Sequence, residues 1–343
     1  MEDMELAGNT RTENITSVEQ ARVKFSRVKD FLSEKVILIL TILSAIMILF
    51  IFFFILLKSW DIFKINGLGF VTNTGFDKQI NDAFNAPGDK PVWEFGALGL
   101  LVGSLLTTLG SLLIAVPMGI GTAIVISELA PSWIRRLLQS VVRLLASIPS
   151  VVFGLLGLLI VVPVIKSVFI TTELQIKFIK YFQMDGKSML AGILVLSLMI
   201  LPIIVALSVD AINTVPKKFK EASLALGLSH WRTIVKVILP AAKSGILAGI
   251  VLGMGRAIGE AIALNMVTGG IGFLPNPAHG LPFFLTPVMP LAAAIVKKAE
   301  AMSVPSIEAA LFACGVVLLL TTTILSLFTR IVEYSVKRRQ GLE

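Results

Sequence analysis

Six stretches of this chain, 36–57, 96–127, 144–165, 188–209, 244–268 and 309–329, each run for more than twenty residues with few or no charged side chains. About 20 consecutive apolar residues are enough for a helix to cross the hydrocarbon core of a bilayer. There every backbone N–H and C=O must be satisfied inside the protein, which a helix does within its own segment. The expected fold is therefore all-α, a polytopic membrane protein with six transmembrane helices. Composition agrees: 55% of the 343 residues are hydrophobic and 15% charged, against about 45–50% and about 25% in a soluble domain. The single cysteine, Cys314, excludes a disulfide framework or a cysteine metal cluster and reads as a small packed side chain. His230 and His279 are too few and too far apart to suggest a metal site.

The distribution of Lys and Arg orients the spans. Residues 1–35, the loops 127–143 and 210–243, and the tail from 330 hold 19 of the 30, whereas the loops 58–97, 166–187 and 269–305 hold 10. Positive charge accumulates on the cytoplasmic side, so both termini are expected there. The same rule accounts for the net charge of +8 without a nucleic-acid partner. The chain then divides into a basic cytoplasmic leader (1–35), a first transmembrane helix (36–57), an external loop (58–97), a five-helix core (98–335) containing the loop 210–243, and a cytoplasmic tail (336–343). The apolar run after the leader is too long for a secretory signal and has no small-residue cleavage site. The leader reads as a mobile tail, either solvated or resting on anionic membrane lipid through Arg22, Lys24, Arg27 and Lys29. NAPGDKP (85–91) and LPNPAH (274–279) are turn formers. The apolar stretch 281–296 has three prolines and is too short to span, so it is expected to be interfacial or re-entrant.

The loop 210–243 is long for a connection between helices, and long connections tend to be functional. It carries internal order. KFKEASLAL reads as a short helix after Pro216, Gly227 supplies a left-handed residue to end it, and Ser229 caps a second helix, HWRTIVKVIL. Pro240 marks the approach to the fifth span. Two short helices at an angle are expected, either capping their own bundle or docking a cytoplasmic partner, with His230 and Trp231 packing inside. The spacing Glu221-Ala222-Ser223, Gly227, Val237, Leu239-Pro240 resembles the EAA signature loop of the membrane subunits of ABC importers, with Ser223 for Ala and Val237 for Ile. That resemblance implies a type I ABC importer permease fold and a helix at Glu221–Gly227 that sits in a groove of an ATPase subunit. The chain has no nucleotide site of its own: GKS at 186–188 has Tyr181 where a phosphate-binding loop needs Gly, and follows no strand. It is expected to be a transport subunit and not an enzyme, with ATP and Mg bound by separate ATPase subunits.

The fifth stretch holds Arg256 and Glu260, the only charges between Ser244 and Thr268. Four residues apart on one helix, they would share a face, with Gly249, Gly253, Ala263 and Val267 nearby. Gly245, Gly249 and Gly253 form a ladder of small residues that lets helices approach closely. Intramembrane charges are costly and mark a transport pathway or a buried pair. Arg offers a permanent charge and a fork of donors that matches a dehydrated oxyanion. Glu260 either holds Arg256 while the pathway is empty or is protonated when the anion is there; a plain packing pair is the other reading. Pro149 breaks the third span, which lets Ser147 and Ser150 offer hydroxyls to an anion or bond their own backbone. Arg143 is either a flank anchor or an exit-path contact.

LGMGRAIGEAIALNMVTGG (252–270), LLASIPSVVFGLLGLLIVVP (144–163) and LGFVTNTGFD (68–77) are similar to the permeases of phosphate ABC importers, and to the PstC-type subunit more than its PstA-type partner. The similarity runs from about residue 35 to 335. Ala261 stands where Thr is common, and residues 58–97 and 274–290 match less well. The family implies a subunit of the bacterial cytoplasmic (inner) membrane that forms half of a pathway for inorganic phosphate. Its expected partners are a homologous PstA-type permease, two ATPase subunits and an external phosphate-binding protein. Arg256, Glu260, Ser147, Ser150 and Arg143 would line the pathway, and Glu221, Ala222, Ser223, Gly227, Leu239 and Pro240 would couple it to the ATPase. A permease for another oxyanion, such as sulfate or molybdate, would keep the loop and change the pore. A secondary transporter or channel would lack the docking loop, and an enzyme would need a nucleophile–base or metal cluster that the sequence does not contain.

Overall fold

The computed structural model describes residues 2–87, 91–179 and 182–338. Six helices or helix runs among them are long and apolar enough to cross a membrane: Ser33–Asn66, Leu98–Leu129, Ser150–Phe169, Met189–Thr214, His230–Ile258 and Pro305–Ile331. The chain divides into two units, Met1–Leu57 and Lys58–Glu343. Helix α1 (Glu2–Asn66) begins in the first. It is helical well before residue 36, where the leader was expected to be mobile. The leader's four basic side chains lie outside the described residues. None of the side chains from Ser33 to Leu57 is buried, and a run this apolar and this uncovered suits lipid.

In the second unit the described part of the loop 58–97 contains the end of α1 and the short helices α2 (Gly69–Thr72) and α3 (Phe76–Asn85). The second span is α4 (Leu98–Ile124) followed by a π turn, Val125–Leu129. Then come α5 (Ser132–Ala146), α6 (Ser150–Leu156), a second π turn (Gly157–Val161), α7 (Val162–Phe169) and α8 (Thr172–Phe178). The fourth span is α9 (Met189–Thr214), capped by the Ser188 hydroxyl, which accepts from the Ala191 N–H at 3.3 Å. Next are α10 (Lys217–Ala225), α11 (His230–Thr233), a third π turn (Ile234–Ile238) and α12 (Leu239–Ile258). The chain finishes with α13 (Ile262–Val267), α14 (Leu281–Leu285), α15 (Leu291–Lys297) and α16 (Pro305–Arg338).

Helix α9 is the centre of this unit, flanked by α4 and α12. Its neighbours approach through glycine. A Cβ at Gly245 would lie 2.5 Å from that of Ala211, one at Gly249 3.0 Å from that of Leu207, and one at Gly253 3.1 Å from Ile204 Cγ1. The expected ladder is therefore the α12–α9 contact. Ile204 also fills the space left by Gly119, so one side chain is held between glycines of α4 and α12. Several hydroxyls within the bundle donate to their own helix, as Thr107 does to the Gly103 carbonyl (2.7 Å), whereas those of Thr108 and Ser208 are buried without a partner among the described residues. Cys314 is fully buried, as its apolar setting implied.

Two spans differ from expectation. The third begins at Ser150 instead of Leu144: Pro149 sits just before α6, and residues 132–146 form the separate helix α5, none of whose side chains is buried. The fifth begins well before Ser244. The second helix of the loop 210–243 does not end at Pro240 but passes through a π turn directly into α12. Proline lacks an N–H and clashes with the preceding turn; the wider π turn before it, at Ile234–Ile238, and its place near the start of α12 let the rod continue.

Within the proline-rich stretch 281–296, residues 285–294 are buried, whereas Leu281, Phe284 and Val296 are exposed, and the stretch is not among the candidate spans. Its polar groups are satisfied by protein. Val288 N donates to the Thr268 carbonyl (2.8 Å), Gly270 N to the Val288 carbonyl (3.1 Å), and Leu291 N to Ser104 Oγ (2.7 Å). Irregular backbone inside a membrane protein is tolerated only where it is enclosed in this way.

Candidate functional site

The charged stretch is not one helix. α12 ends at Ile258, and Gly259 and Glu260 close its last turn with long bonds of 3.4 Å to the carbonyls of Gly255 and Ala257. After Glu260 the chain restarts as α13. The Glu260 side chain is buried, 8% exposed. Its Oε1 accepts from the Ala263 N–H at 3.0 Å, the side-chain-to-backbone bond typical of a helix N-cap. Arg256 is half-buried in the last turn of α12. Among the described residues it makes no ion pair. The expectation of one shared helix face, and of Glu260 holding Arg256, is therefore corrected. The helix break turns Ala263 and Val267 away from the α12 register, and the carboxylate serves the start of α13 instead.

Beyond α13, Gly269 and Gly270 turn the chain with φ of 88° and 61°, values that favour glycine. The Gly270 carbonyl accepts from Lys297 Nζ at 2.8 Å. Burial above all, and then the neighbouring Lys298, hold the Lys297 ammonium below the usual lysine pKa; Asp77 acts in the opposite direction. Asp77, on α3, pairs with Lys298 (2.9 Å) and accepts from the Gly272 N–H. The loop 58–97 is thus fastened to the segment that leads out of the charged stretch.

The other expected pathway residues lie elsewhere on the fold. Ser150 is half-buried at the start of α6, one turn before Gly154, which packs on Ala263 and Met266 of α13. Ser147 is exposed and donates to the Leu144 carbonyl (2.7 Å), bonding its own backbone. Arg143 is exposed in the last turn of α5. Only Ser150 is brought onto an element that touches α13.

In the signature loop, the expected helix start, turn and cap are present. α10 follows Pro216 and ends at Gly227, whose φ is 81°. Leu228 N donates to the Ser223 carbonyl (3.2 Å), satisfying a carbonyl at the helix end. Ser229 caps α11 by accepting from Arg232 N (3.4 Å). Glu221, Ala222 and Gly227 are exposed, and Leu239 and Pro240 are half-buried at the foot of α12. Ser223 departs from the signature for a reason visible here: its hydroxyl lies 2.9 Å from that of Thr233, and both are buried. The substitution for Ala is matched by a partner on the facing helix. Ser223→Ala alone is expected to cost about 1 kcal/mol by stranding the Thr233 hydroxyl, and pairing it with Thr233→Val to recover most of that. Thermal midpoints of the purified complex would show whether the double variant is indeed the more stable.

His230 and Trp231 do not pack inside the loop. Trp231 is 60% exposed, and Phe219, Leu224 and Leu226 of the same loop are also exposed. The exposure of these four apolar side chains is a feature that the sequence reading missed. Its signal was the apolar residues left off the buried face that Ser223 and Thr233 mark.

A membrane subunit with six candidate spans, an ordered signature loop and a charged helix break is the class these features define. The chain belongs to the binding-protein-dependent transport system inner membrane components; residues 115–338 match that family. It is 40% identical over 240 residues to the probable ABC transporter permease protein YqgH of Bacillus subtilis (strain 168), covering 69% of this chain and 71% of the relative. It is 31% identical over 318 residues to the phosphate transport system permease protein PstC of Pasteurella multocida (strain Pm70), covering 89% and 90%. The fold is similar to that of the methionine ABC transporter MetNI in an inward-facing conformation, with a TM-score of 0.51 over 68% of this chain and 93% of that one, at 17% identity.

Proposed function

We propose that this chain is the PstC-type permease subunit of a bacterial phosphate importer, forming one half of the translocation pathway. Arg256 carries the reading: a half-buried guanidinium in a membrane helix, at a break, with no ion-pair partner among the described residues. A charge in that setting is costly unless an anion visits it. The planar fork of Arg suits a tetrahedral oxyanion. Permeases named for phosphate transport that align with nearly nine-tenths of the chain support phosphate as that anion. Glu260 keeps the break open by capping α13, and Ser150 stands on the helix beside it.

The partners follow from the same reading. A homologous PstA-type permease completes the pathway, two ATPase subunits bind ATP and Mg, and an external binding protein delivers phosphate. Both termini and the loop 210–243 face the cytoplasm, where Glu221, Ala222 and Gly227, with the exposed Trp231, dock the ATPase. ATP-driven closure of the ATPase pair then shifts α10 and switches the pathway between its two sides. The test is ATP-dependent uptake of labelled phosphate and of sulfate into proteoliposomes holding the whole complex. Phosphate uptake that sulfate does not match is expected. Sulfate entry without phosphate would leave the permease architecture intact and replace the substrate.

A further inference from the structure

The coupling helix reaches the second span through a charged pair. Lys220 of α10 places its Nζ 2.5 Å from Oε2 of Glu128, in the π turn that ends that span, 92 positions away in sequence. The Glu128 side chain is 11% exposed and that of Lys220 34%. A surface ion pair is screened and holds its partners weakly, but a carboxylate this enclosed is strongly disfavoured when its cation is removed.

The platform beneath Glu128 is also fixed. Arg135 of α5 donates Nε to the Ile126 carbonyl (3.0 Å) and Nη2 to the Ala130 carbonyl (3.3 Å), gripping the chain on both sides of the carboxylate. Beside the pair is a cleft of about 320 Å³ whose wall includes Ile212 and Pro216 at the end of the fourth span and Ile238 at the foot of the fifth.

Helix α10 itself buries a single side chain, Ser223. It is therefore held by its connections and by a few specific bonds. Val215 and Pro216 join it to α9, and Gly227 to Ser229 join it to the fifth span. Among the described residues Lys220–Glu128 is the one ion pair between α10 and the second span. That span is where a push would matter. Gly119 of α4 rests on Ile204, which also meets Gly253, one turn before Arg256.

We propose that Lys220 and Glu128 are a positioning pair that carries displacement of the coupling helix into the second span, so that ATP hydrolysis and anion movement stay linked. The inference rests on the docking role given to α10 above. It concerns the bond from α10 to the second span, in a cleft that Glu221 and Leu224 also line.

The complete complex in proteoliposomes tests it, as Lys220→Met, Glu128→Gln and the exchanged pair Lys220→Glu with Glu128→Lys. Two rates are read together: ATP hydrolysis stimulated by the loaded binding protein, and uptake of labelled phosphate, or of sulfate if that is the anion the wild type imports. Each single variant is expected to lower the anion imported per ATP about tenfold, within the range of couplings between distant sites. The exchanged pair is expected to restore at least half of the wild-type ratio. A wild-type ratio in the single variants would overturn the proposal. So would an exchanged pair that assembles but stays uncoupled. If the single variants fail to assemble, the exchanged pair decides: recovery of assembly and ratio together supports the link, and recovery of assembly alone overturns it. Failure of the substrate assignment shows separately, in the wild type's choice of anion.

Discussion

Arg256→Gln is expected to cut ATP-dependent phosphate uptake about a hundredfold, equivalent to ~3 kcal/mol, the upper range for a charge-assisted hydrogen bond. The complex should still assemble. The guanidinium has no carboxylate to lose, since Glu260 bonds to Ala263 and no ion pair to Arg256 exists among the described residues. Glutamine is shorter and keeps two donors, but not the charge that offsets dehydration of an oxyanion. Arg256→Lys should restore only part of the rate, because a point charge cannot reproduce bidentate contact. Uptake in proteoliposomes, normalised to complex recovered on gel filtration, separates loss of transport from loss of assembly. Normal uptake in Arg256→Gln would reduce the residue to a packing charge and leave the phosphate assignment resting on similarity.

Glu260 should behave differently in two variants. Glu260→Gln keeps a side-chain oxygen able to accept from the Ala263 N–H and should preserve the start of α13. Glu260→Ala removes the acceptor and leaves a buried N–H unpaired, at an expected loss of about 1.5–3 kcal/mol in stability. The thermal midpoint of the purified complex reads the difference. Equal losses in both would mean that the negative charge, and not the cap, holds the break. The Gln variant then separates structure from transport: retained uptake assigns Glu260 to shaping the site, whereas lost uptake in a stable complex assigns its charge to the anion's passage.

The spans were legible in the sequence because the signal is additive: long uncharged runs need no knowledge of neighbours. The loop was legible because its determinants are local. Pro216, Gly227 and Ser229 act on the backbone within a few residues of themselves. What escaped was contextual. Leu144 and Leu145 counted toward an apolar run although they belong to amphipathic α5, whose Trp133, Leu137, Val141 and Leu144 all lie exposed. Spacing of three and four residues was available to reveal that helix. The break at Gly259 was hidden because a helical wheel assumes continuity, and the cap is a Glu with no Ser, Thr or Asn to announce it. Trp231 was expected inside the loop, and is exposed, because an apolar body suits a loop interior and an outward surface equally well.

The fifth span as a single rod has a mechanical consequence. From His230 to Ile258 it holds 29 residues, roughly 43 Å at about 1.5 Å per residue. Gly249, pressed against Leu207, is a natural fulcrum, with Arg256 on the short arm and the docking loop on the long one. A rotation of about 10° there would carry the His230 end roughly 5 Å and Arg256 roughly 2 Å. Under the docking and anion roles proposed above, the rod would act as a reducing lever: a coarse stroke at the ATPase would become a fine one at the guanidinium. Two ångströms is still enough to release a hydrogen-bonded anion, because such bonds weaken within a few tenths of an ångström beyond their usual length.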